Sequence, residues 1–208
     1  MRLRNVKGAY DKVEASEYII HDYKDHKGKY KDLFNNNNPI CIEIGMGKGD
    51  FILGMARKYS DINFIGIEKF DNVIIRAIEK IEEKIPNLEL IKMDADCINE
   101  VFDKEIDTIY LNFSDPWPKN RHENRRLTSL NFLKKYDSLF KDKKHIIMKT
   151  DNRKLFEYSI KSFTDYGYKI NEISLDLYND DISDNVATEY ENRFHSLGQV
   201  IYKIDVEK

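Results

Sequence analysis

The stretch of the chain with the richest chemistry runs from Asn112 to Arg126 and reads NFSDPWPKNRHENRR. It holds the only tryptophan of the protein, Trp117, between two prolines, and Asp115 stands just ahead of them. Prolines stiffen a loop, and a rigid flat ring can stack on a nucleobase. A position in the core is the ordinary alternative for Trp117, because tryptophan is on average highly buried.

Four cations follow the proline-flanked tryptophan within a few residues. The run has a single acid, Glu123, and its cations are Lys119, Arg121, Arg125 and Arg126. A charge run is usually no more than a solvated face. This run continues directly from a candidate base-stacking turn, and phosphate binding is therefore the favoured interpretation.

A glycine-rich loop follows the first apolar segment and reads EIGMGKGD, from Glu43 to Asp50. Gly45 and Gly47 allow a tight turn and a close approach to a ligand, and their spacing is neither the dinucleotide fingerprint nor a P-loop. Glu68 ends the next apolar segment, where a carboxylate can accept hydrogen bonds from ribose hydroxyls. The combination suits a nucleoside cofactor without a pyrophosphate, for which S-adenosylmethionine (SAM) is the obvious candidate. An ordinary strand-to-helix turn and a solvated strand end are the alternatives.

Two further carboxylates, Asp94 and Asp96, follow the third apolar segment. Either could border an adenine ring. Either could equally cap the short helix that comes next, and the sequence leaves both interpretations open.

The elements that must position these residues alternate between apolar runs and helical patterns. The predicted strands are 40–44, 63–68, 88–93, 107–113, 145–150, 168–177 and 198–206. The predicted helices are 50–59, 72–85, 98–102, 129–140 and 154–166. Such alternation indicates an α/β fold with a mostly parallel sheet covered on both faces. The return between the last two strands has no helical pattern, which predicts an antiparallel last strand.

The composition fits one domain of ordinary size. The chain has 208 residues, 41% of them hydrophobic, and no apolar run approaches the ~18 residues of a membrane span. The polar N-terminus does not look like a signal peptide, and Cys41 and Cys97 make neither a disulfide framework nor a zinc site. We expect a cytoplasmic protein with no membrane contact and no bound metal. Its net charge of −3 means that any nucleic-acid site must be a local patch.

Together, the motifs EIGMGKG, GIE, NFSDPWPKNRHENRRL, KTDN and TEYE resemble those of the bacterial tRNA (guanine-N7-)-methyltransferases. The resemblance runs from about Pro39 to the C-terminus. It implies a Rossmann-like class I methyltransferase with a seven-stranded sheet, which transfers a methyl group from SAM to N7 of guanosine-46 in the tRNA variable loop. We therefore expect residues 1–38 to be an N-terminal extension that could be flexible and contact RNA. Residues 39–208 would form a single catalytic domain.

The resemblance also assigns roles to particular residues. The implied cofactor-site residues are Glu43, Gly45, Gly47, Glu68, Asp94 and Asp115, and Asp115 is also the implied catalytic residue. The implied substrate-binding residues, with the aromatic and basic residues above, are Trp117, Lys119, Arg125, Arg126, Asp151, Thr188, Glu189, Tyr190 and Glu191. Two ordinary alternatives remain: Asp151 could cap the helix that begins near Arg153, and TEYE could be a surface turn. The family often opens with K-P-W-A, where this chain has Lys7-Gly8-Ala9-Tyr10.

The chemistry of guanine N7 agrees with these residues. N7 carries an in-plane lone pair, so its methylation needs no general base, and no histidine or cysteine stands in a persuasive position for one. Asp115 could offset the positive charge that develops on the ring, or it could hold the N1–H and N2 edge of guanine.

Two other functions compete with this interpretation. The first is a SAM-dependent N-methyltransferase acting on an exocyclic amine of a nucleic acid or on a protein amide. Such enzymes carry an Asn/Asp-Pro-Pro-aromatic turn, whereas this chain has Asp-Pro-Trp-Pro followed by arginines. The second is an RNA-binding module that has lost turnover, and the intact glycine loop argues against it. The expected partner is tRNA, and the protein could be a monomer or a homodimer.

Overall fold

The sheet of this protein has seven strands in the described part of the chain, residues 6–180 and 184–208 of a computed structural model. The strands are β1 (Ile40–Ile44), β2 (Asn63–Glu68), β3 (Leu88–Lys92), β4 (Ile106–Asn112), β5 (Phe140–Thr150), β6 (Lys169–Ser174) and β7 (Tyr202–Glu207). Their order is β3-β2-β1-β4-β5-β7-β6. Every neighbouring pair is parallel except those of β7, which runs antiparallel to β5 and β6. The predicted sheet with an antiparallel last strand is confirmed.

Eight α-helices accompany the sheet within the described residues. They are α1 (Ala9–Glu14), α2 (Tyr30–Phe34), α3 (Asp50–Lys58), α4 (Asp71–Ile78), α5 (Ile98–Val101), α6 (Leu130–Tyr136), α7 (Arg153–Asp165) and α8 (Glu189–Ser196). Short 3₁₀ helices span Ala95–Cys97 and Asn120–Arg125. Because α8 lies between β6 and β7, the prediction of a helix-free return is wrong.

Two predicted helices are longer than the observed ones. The predicted helix 72–85 ends at Ile78, and the chain beyond it turns, with the Lys80 ammonium 2.7 Å from the Asp50 carboxylate. The predicted helix 129–140 ends at Tyr136, since Phe140 already pairs with Ile106 in the sheet. The second helix therefore ends at a long-range contact that sequence periodicity does not show.

Each face of the sheet is covered by its own hydrophobic core. Ile42, Ile44 and Ile109 belong to one core, and Cys41 and Phe64 belong to the other. Burial raises the pKa of the Cys41 thiol to about 12, as befits a small core residue. Parallel strands buried on both faces read as the continuous apolar runs from which β1 and β2 were predicted.

The N-terminal segment packs into these cores between Ala9 and Phe34. The amide of Leu90 in β3 donates to the Tyr18 carbonyl at 2.7 Å, and the amide of Ile20 donates to the Leu90 carbonyl at 2.9 Å. Tyr30 is fully buried, with its ring centroid 4.7 Å from that of Phe102. Residues 9–34 thus contribute to the same cores as the sheet. The expected division into residues 1–38 and 39–208 stays a prediction, as does the expected contact of residues 1–38 with RNA. No helix among residues 6–180 and 184–208 is long and apolar enough to cross a membrane.

Candidate active site

The glycine loop after β1 faces the end of β2 at the carboxyl edge of the sheet. Gly45 and Gly47 have φ values of 77° and 59°, and a Cβ at either position would meet nothing within 4 Å. The Gly47 amide donates to Glu68 Oε2 at 3.2 Å, and the amides of Lys69 and Phe70 donate to Glu68 Oε1. Burial raises the pKa of Glu68. The loop thus borders open space, and hydrogen bonds hold the Glu68 carboxylate in place beside it.

Glu43 and Asn112 lie buried behind the loop with unmet hydrogen-bonding capacity. The Asn112 amide nitrogen donates to Glu43 Oε1 at 2.9 Å, whereas Glu43 Oε2 and Asn112 Oδ1 have no partner. Burial raises the pKa of the Glu43 carboxyl to about 8. Buried polar atoms in native proteins almost always have partners, so the two orphaned oxygens point to a ligand in the pocket that both residues line.

Two adjoining hollows form the candidate site. The larger has a cavity volume of about 660 Å³ and is lined, among others, by Glu68, Lys69, Asp94, Ser114, Asp115, Trp117 and Arg125. The smaller, of about 200 Å³, is lined, among others, by Glu43, Gly47, Asn112, Thr188, Glu189, Tyr190 and Arg193. Gly45, Val73 and Phe113 line both. Together they are large enough for a nucleoside cofactor of the size of SAM.

Asp94 fits both interpretations that the sequence leaves open. Its carboxylate accepts from the Asp96 amide at 3.1 Å, which caps a 3₁₀ helix, and it also lines the larger hollow. The Lys69 ammonium, 2.5 Å away, lowers the pKa of Asp94. Asp96 lines the same hollow, and its carboxylate pairs with the Lys135 ammonium at 2.9 Å. Over residues 6–180 and 184–208, no three or more His, Cys, Asp or Glu side chains are grouped so that they could hold a metal ion.

The turn after β4 carries Asp115 between two residues with unusual backbone angles. Phe113 and Trp117 have φ values of 50° and 41°, in the left-handed region that residues other than glycine rarely adopt. Asp115 is exposed at the mouth of the larger hollow. Since strained residues persist only where their surroundings hold them and tend to cluster at active sites, this turn has the character of a functional element.

Trp117 lies at the wall of the hollow and belongs to neither core of the described chain. The ring of His122 meets the indole edge-on, with centroids 5.6 Å apart, and the Arg125 guanidinium lies 4.9 Å from the centroid of the indole ring. The alternative that Trp117 is a core residue is therefore wrong. Its predicted contact with a nucleobase stays a prediction.

The cations of the basic run fall into two groups. Lys119, Arg121 and Arg125 are exposed, and Arg125 also lines the larger hollow. Arg126 is half-buried and donates to the backbone carbonyls of Pro116 and Trp117. Arg126 is therefore not part of the exposed basic surface, although the sequence places it in the same basic run.

The TEYE segment forms the start of α8 and covers the smaller hollow. Thr188 Oγ1 accepts from the Glu191 amide at 2.8 Å, and the Glu191 carboxylate accepts from the Thr188 amide at 3.4 Å. This is a capping box, whose signature S/T-x-x-E could have been found in the sequence. Glu189 pairs with Lys48 of the glycine loop at 2.6 Å, and the Tyr190 hydroxyl donates to Asp151 at 3.1 Å.

Glu191 differs from the other residues of the segment because it is fully buried. Its carboxylate accepts from Lys149 Nζ at 2.6 Å, from the Asn185 amide at 2.7 Å and from the Tyr178 hydroxyl at 3.2 Å. The structure brings Thr188, Glu189 and Tyr190 to the hollow but keeps Glu191 behind them, so Glu191 is placed to anchor α8 rather than to contact a substrate.

Asp151 is linked to the site through Tyr190 and does not cap α7. Asn152 is the cap, since its side chain accepts from the Leu155 amide at 2.9 Å. The alternative that Asp151 caps this helix is wrong, because its carboxylate is bound to Tyr190. Its predicted contact with the substrate stays a prediction.

Several residues that line the hollows were not among the predicted ones, including Lys69, Asn112, Phe113 and Arg193. Lys149, which holds Glu191 behind the smaller hollow, was not predicted either. Lys149 is 3% exposed, and its charge within the apolar run HIIMKT was the available signal, because a buried lysine needs a partner. Asn112 and Phe113 end a predicted strand, but nothing in their types marks them as lining residues.

The sheet order, the glycine loop after β1 and the acid at the end of β2 define a Rossmann-like class I methyltransferase. Solved structures agree on the fold. A structure described as an antibiotic-related methyltransferase superimposes with a TM-score of 0.66 at 17% identity, over 89% of this chain and 94% of that one. A SAM-dependent methyltransferase from Aquifex aeolicus gives a TM-score of 0.56 at 12% identity, over 98% of both chains.

Sequence relatives narrow the class to one family. A family model described as "Putative methyltransferase" matches residues 37–204. The tRNA (guanine-N(7)-)-methyltransferase of Bacillus velezensis is 50% identical, over 100% of this chain and 97% of the relative. Those of Bacillus subtilis and Streptococcus pneumoniae are 49% and 48% identical, over 100% of this chain and 99% and 100% of theirs. The chain belongs to the tRNA (guanine-N(7)-)-methyltransferase family.

Proposed function

We propose that the protein transfers the methyl group of SAM to N7 of guanosine-46 in the variable loop of tRNA, forming 7-methylguanosine. The observation that carries this proposal is the position of Asp115. Its exposed carboxylate lies where a cofactor-sized hollow meets an aromatic and basic turn, in a chain that is about half identical to tRNA (guanine-N(7)-)-methyltransferases along its whole length. The protein would act in the cytoplasm, where tRNA is found.

The residues of the two hollows fit the parts of SAM. Glu68 would accept hydrogen bonds from the ribose hydroxyls, and Asp94 would border the adenine. Gly45 and Gly47 would let the loop approach the cofactor closely. The orphaned oxygen of Glu43 would meet the cationic amino-acid end. SAM supplies a methyl group that is electrophilic because it is bound to a sulfonium.

The protein's contribution to the chemistry is placement and charge. Guanine N7 is already nucleophilic, so no side chain has to remove a proton before methylation. Holding N7 in line with the methyl group can contribute roughly 7–11 kcal/mol to lowering the barrier. The ring becomes cationic as the bond forms, and the Asp115 carboxylate would stabilise that charge or hold the opposite edge of the guanine.

The surroundings of Asp115 suit a nucleotide in RNA. The exposed cations Lys119, Arg121 and Arg125 would bind phosphates, and the rings of Trp117 and Tyr190 offer faces for stacking. The protein would act as a monomer or as a homodimer. Residues 1–38 would add a further RNA contact.

The proposal is tested by incubating the protein with methyl-labelled SAM and total tRNA and then mapping the labelled nucleotide. We expect label on N7 of guanosine-46 and none on protein. Label on an exocyclic amine or on a protein amide would contradict the proposal and favour the other class of N-methyltransferase. Calorimetric titration with SAM alone tests the remaining alternative, an RNA-binding module without turnover, because such a module should not bind SAM.

A further inference from the structure

Arg126 makes contacts that the other cations of the basic run do not make. Its Nε donates to the Pro116 carbonyl and its Nη2 to the Trp117 carbonyl, both at 3.1 Å. The guanidinium therefore spans two successive peptide groups of the turn that follows Asp115. The planar fork of arginine suits such a paired contact, whereas the single ammonium of lysine does not.

The peptide groups held by Arg126 belong to a strained segment. Trp117 has a φ of 41° and directly precedes Pro118. A residue before proline normally adopts an extended conformation, and a tryptophan in the left-handed region is uncommon. Such a conformation persists only where its surroundings impose it, and the two hydrogen bonds from Arg126 are constraints of that kind.

Arg126 is itself anchored to α7. Its guanidinium carbon lies 4.2 Å from the centroid of the Tyr158 ring. Two residues further along the chain, the Thr128 hydroxyl bonds to Ser159 at 2.7 Å, and the Thr128 carbonyl accepts from Ser162 at 2.5 Å. The strained turn is thus tied through one side chain to a helix that packs on the sheet.

We propose that Arg126 is a positioning residue for methyl transfer, which holds the backbone of Pro116 and Trp117 so that Trp117 and Asp115 face the hollow. This inference rests on the proposed function. Arg126 would hold the turn in place, and phosphate binding would fall to Lys119, Arg121 and Arg125. Removal of Arg126 should let the turn relax toward the extended conformation that a residue before proline prefers.

The experiment compares Arg126→Ala, Arg126→Lys and Arg121→Ala. Because Trp117 is the only tryptophan, its emission and its quenching by acrylamide report on the turn without any RNA. Both Arg126 variants should change the quenching and lower the single-turnover rate on saturating tRNA by about 10-fold or more, since a displacement of ~1 Å at a site can cost ~10²-fold. The affinity for SAM and the salt dependence of tRNA binding should stay as in the wild type.

The lysine variant separates geometry from charge. If Arg126 binds a phosphate instead, Arg126→Lys should behave like the wild type. Arg126→Ala should then lose tRNA affinity, with a log–log salt slope smaller by up to ~0.7–0.9. That result, with unchanged Trp117 quenching, would overturn the inference. Arg121→Ala is the control: its salt slope should shrink while the Trp117 emission stays the same.

Two further outcomes have a defined meaning for the inference. If Arg126→Ala does not fold, as judged by thermal unfolding, Arg126→Lys decides the question alone, and wild-type quenching and rate in that variant would overturn the inference. If the wild type does not methylate tRNA, the proposed function fails. The quenching of Trp117 still tests whether Arg126 holds the turn, because it needs no RNA, and wild-type quenching in both variants would then overturn the inference.

Discussion

Glu43 is a buried residue of the site, with a relative exposure of 1%. Burial raises its pKa to about 8, so near pH 7 the carboxyl is mostly protonated before the cofactor binds. The cationic amino group of SAM favours the carboxylate, and binding should therefore release a proton. We predict that SAM affinity rises from pH 6 to pH 7.5. This window lies below the pKa of a typical α-amino group, so the amino group of SAM stays mainly protonated throughout it.

Calorimetry in two buffers that differ in ionisation enthalpy measures the released protons directly. Glu43→Gln is the matched control, because it keeps the shape of the side chain and cannot titrate. The control should bind SAM more weakly and release fewer protons. A wild-type protein that releases no proton at pH 7 would rule out this role for Glu43.

Asp115 gives a second prediction at the residue scale. Asp115→Asn should keep SAM affinity within a few-fold and lower the single-turnover rate by about 10²–10³, the usual effect of losing one electrostatic contact in a transition state. Glu68→Ala should instead weaken SAM binding without changing which base is methylated. If Asp115→Asn methylates tRNA as fast as the wild type, the carboxylate has no catalytic role.

At the scale of elements, α8 is held by two ion pairs of very different environment. Lys149 and Glu191 are both buried, whereas Lys48 is partly exposed and Glu189 is exposed. Removing one partner of a buried pair leaves an uncompensated charge, so Glu191→Ala should lower the free energy of unfolding by about 3–5 kcal/mol. Glu189→Ala should lower it by less than about 1 kcal/mol. Urea unfolding of both variants measures the difference, and equal stabilities would contradict the anchoring role of Glu191.

The same elements mark what the sequence could and could not predict. β1 and β2 are predicted accurately because strands buried on both faces are continuous apolar runs. Helix α8 is missed because most of its residues are exposed, which leaves the capping box as its only local signal. The burial of Glu191 and the carbonyl contacts of Arg126 depend on residues that folding brings together, such as Lys149, 42 positions earlier. A motif can therefore locate a site without assigning each of its side chains.

At the scale of the whole molecule, a net charge of −3 disfavours RNA binding, whereas the local cluster of cations favours it. The salt-dependent part of binding should come from the cluster. Each phosphate contact contributes ~0.7–0.9 to the log–log salt slope, so three contacts predict a slope of roughly 2–3 in magnitude. The triple variant Lys119→Ala/Arg121→Ala/Arg125→Ala should lose most of that slope while keeping SAM affinity. Fluorescence titration of tRNA at several salt concentrations gives both slopes, and an unchanged slope would make the run an ordinary solvated face.

The central claim is that the acceptor atom is N7 of guanosine-46, and substitution of that single atom tests it most directly. Single-turnover methylation is measured on tRNA that carries guanosine or 7-deazaguanosine at position 46, with tRNA affinity determined in parallel. The proposed function predicts equal affinity for both tRNAs and methyl transfer to the guanosine tRNA alone. Methylation of the 7-deaza tRNA at the wild-type rate would contradict it, because the atom proposed to receive the methyl group would be absent.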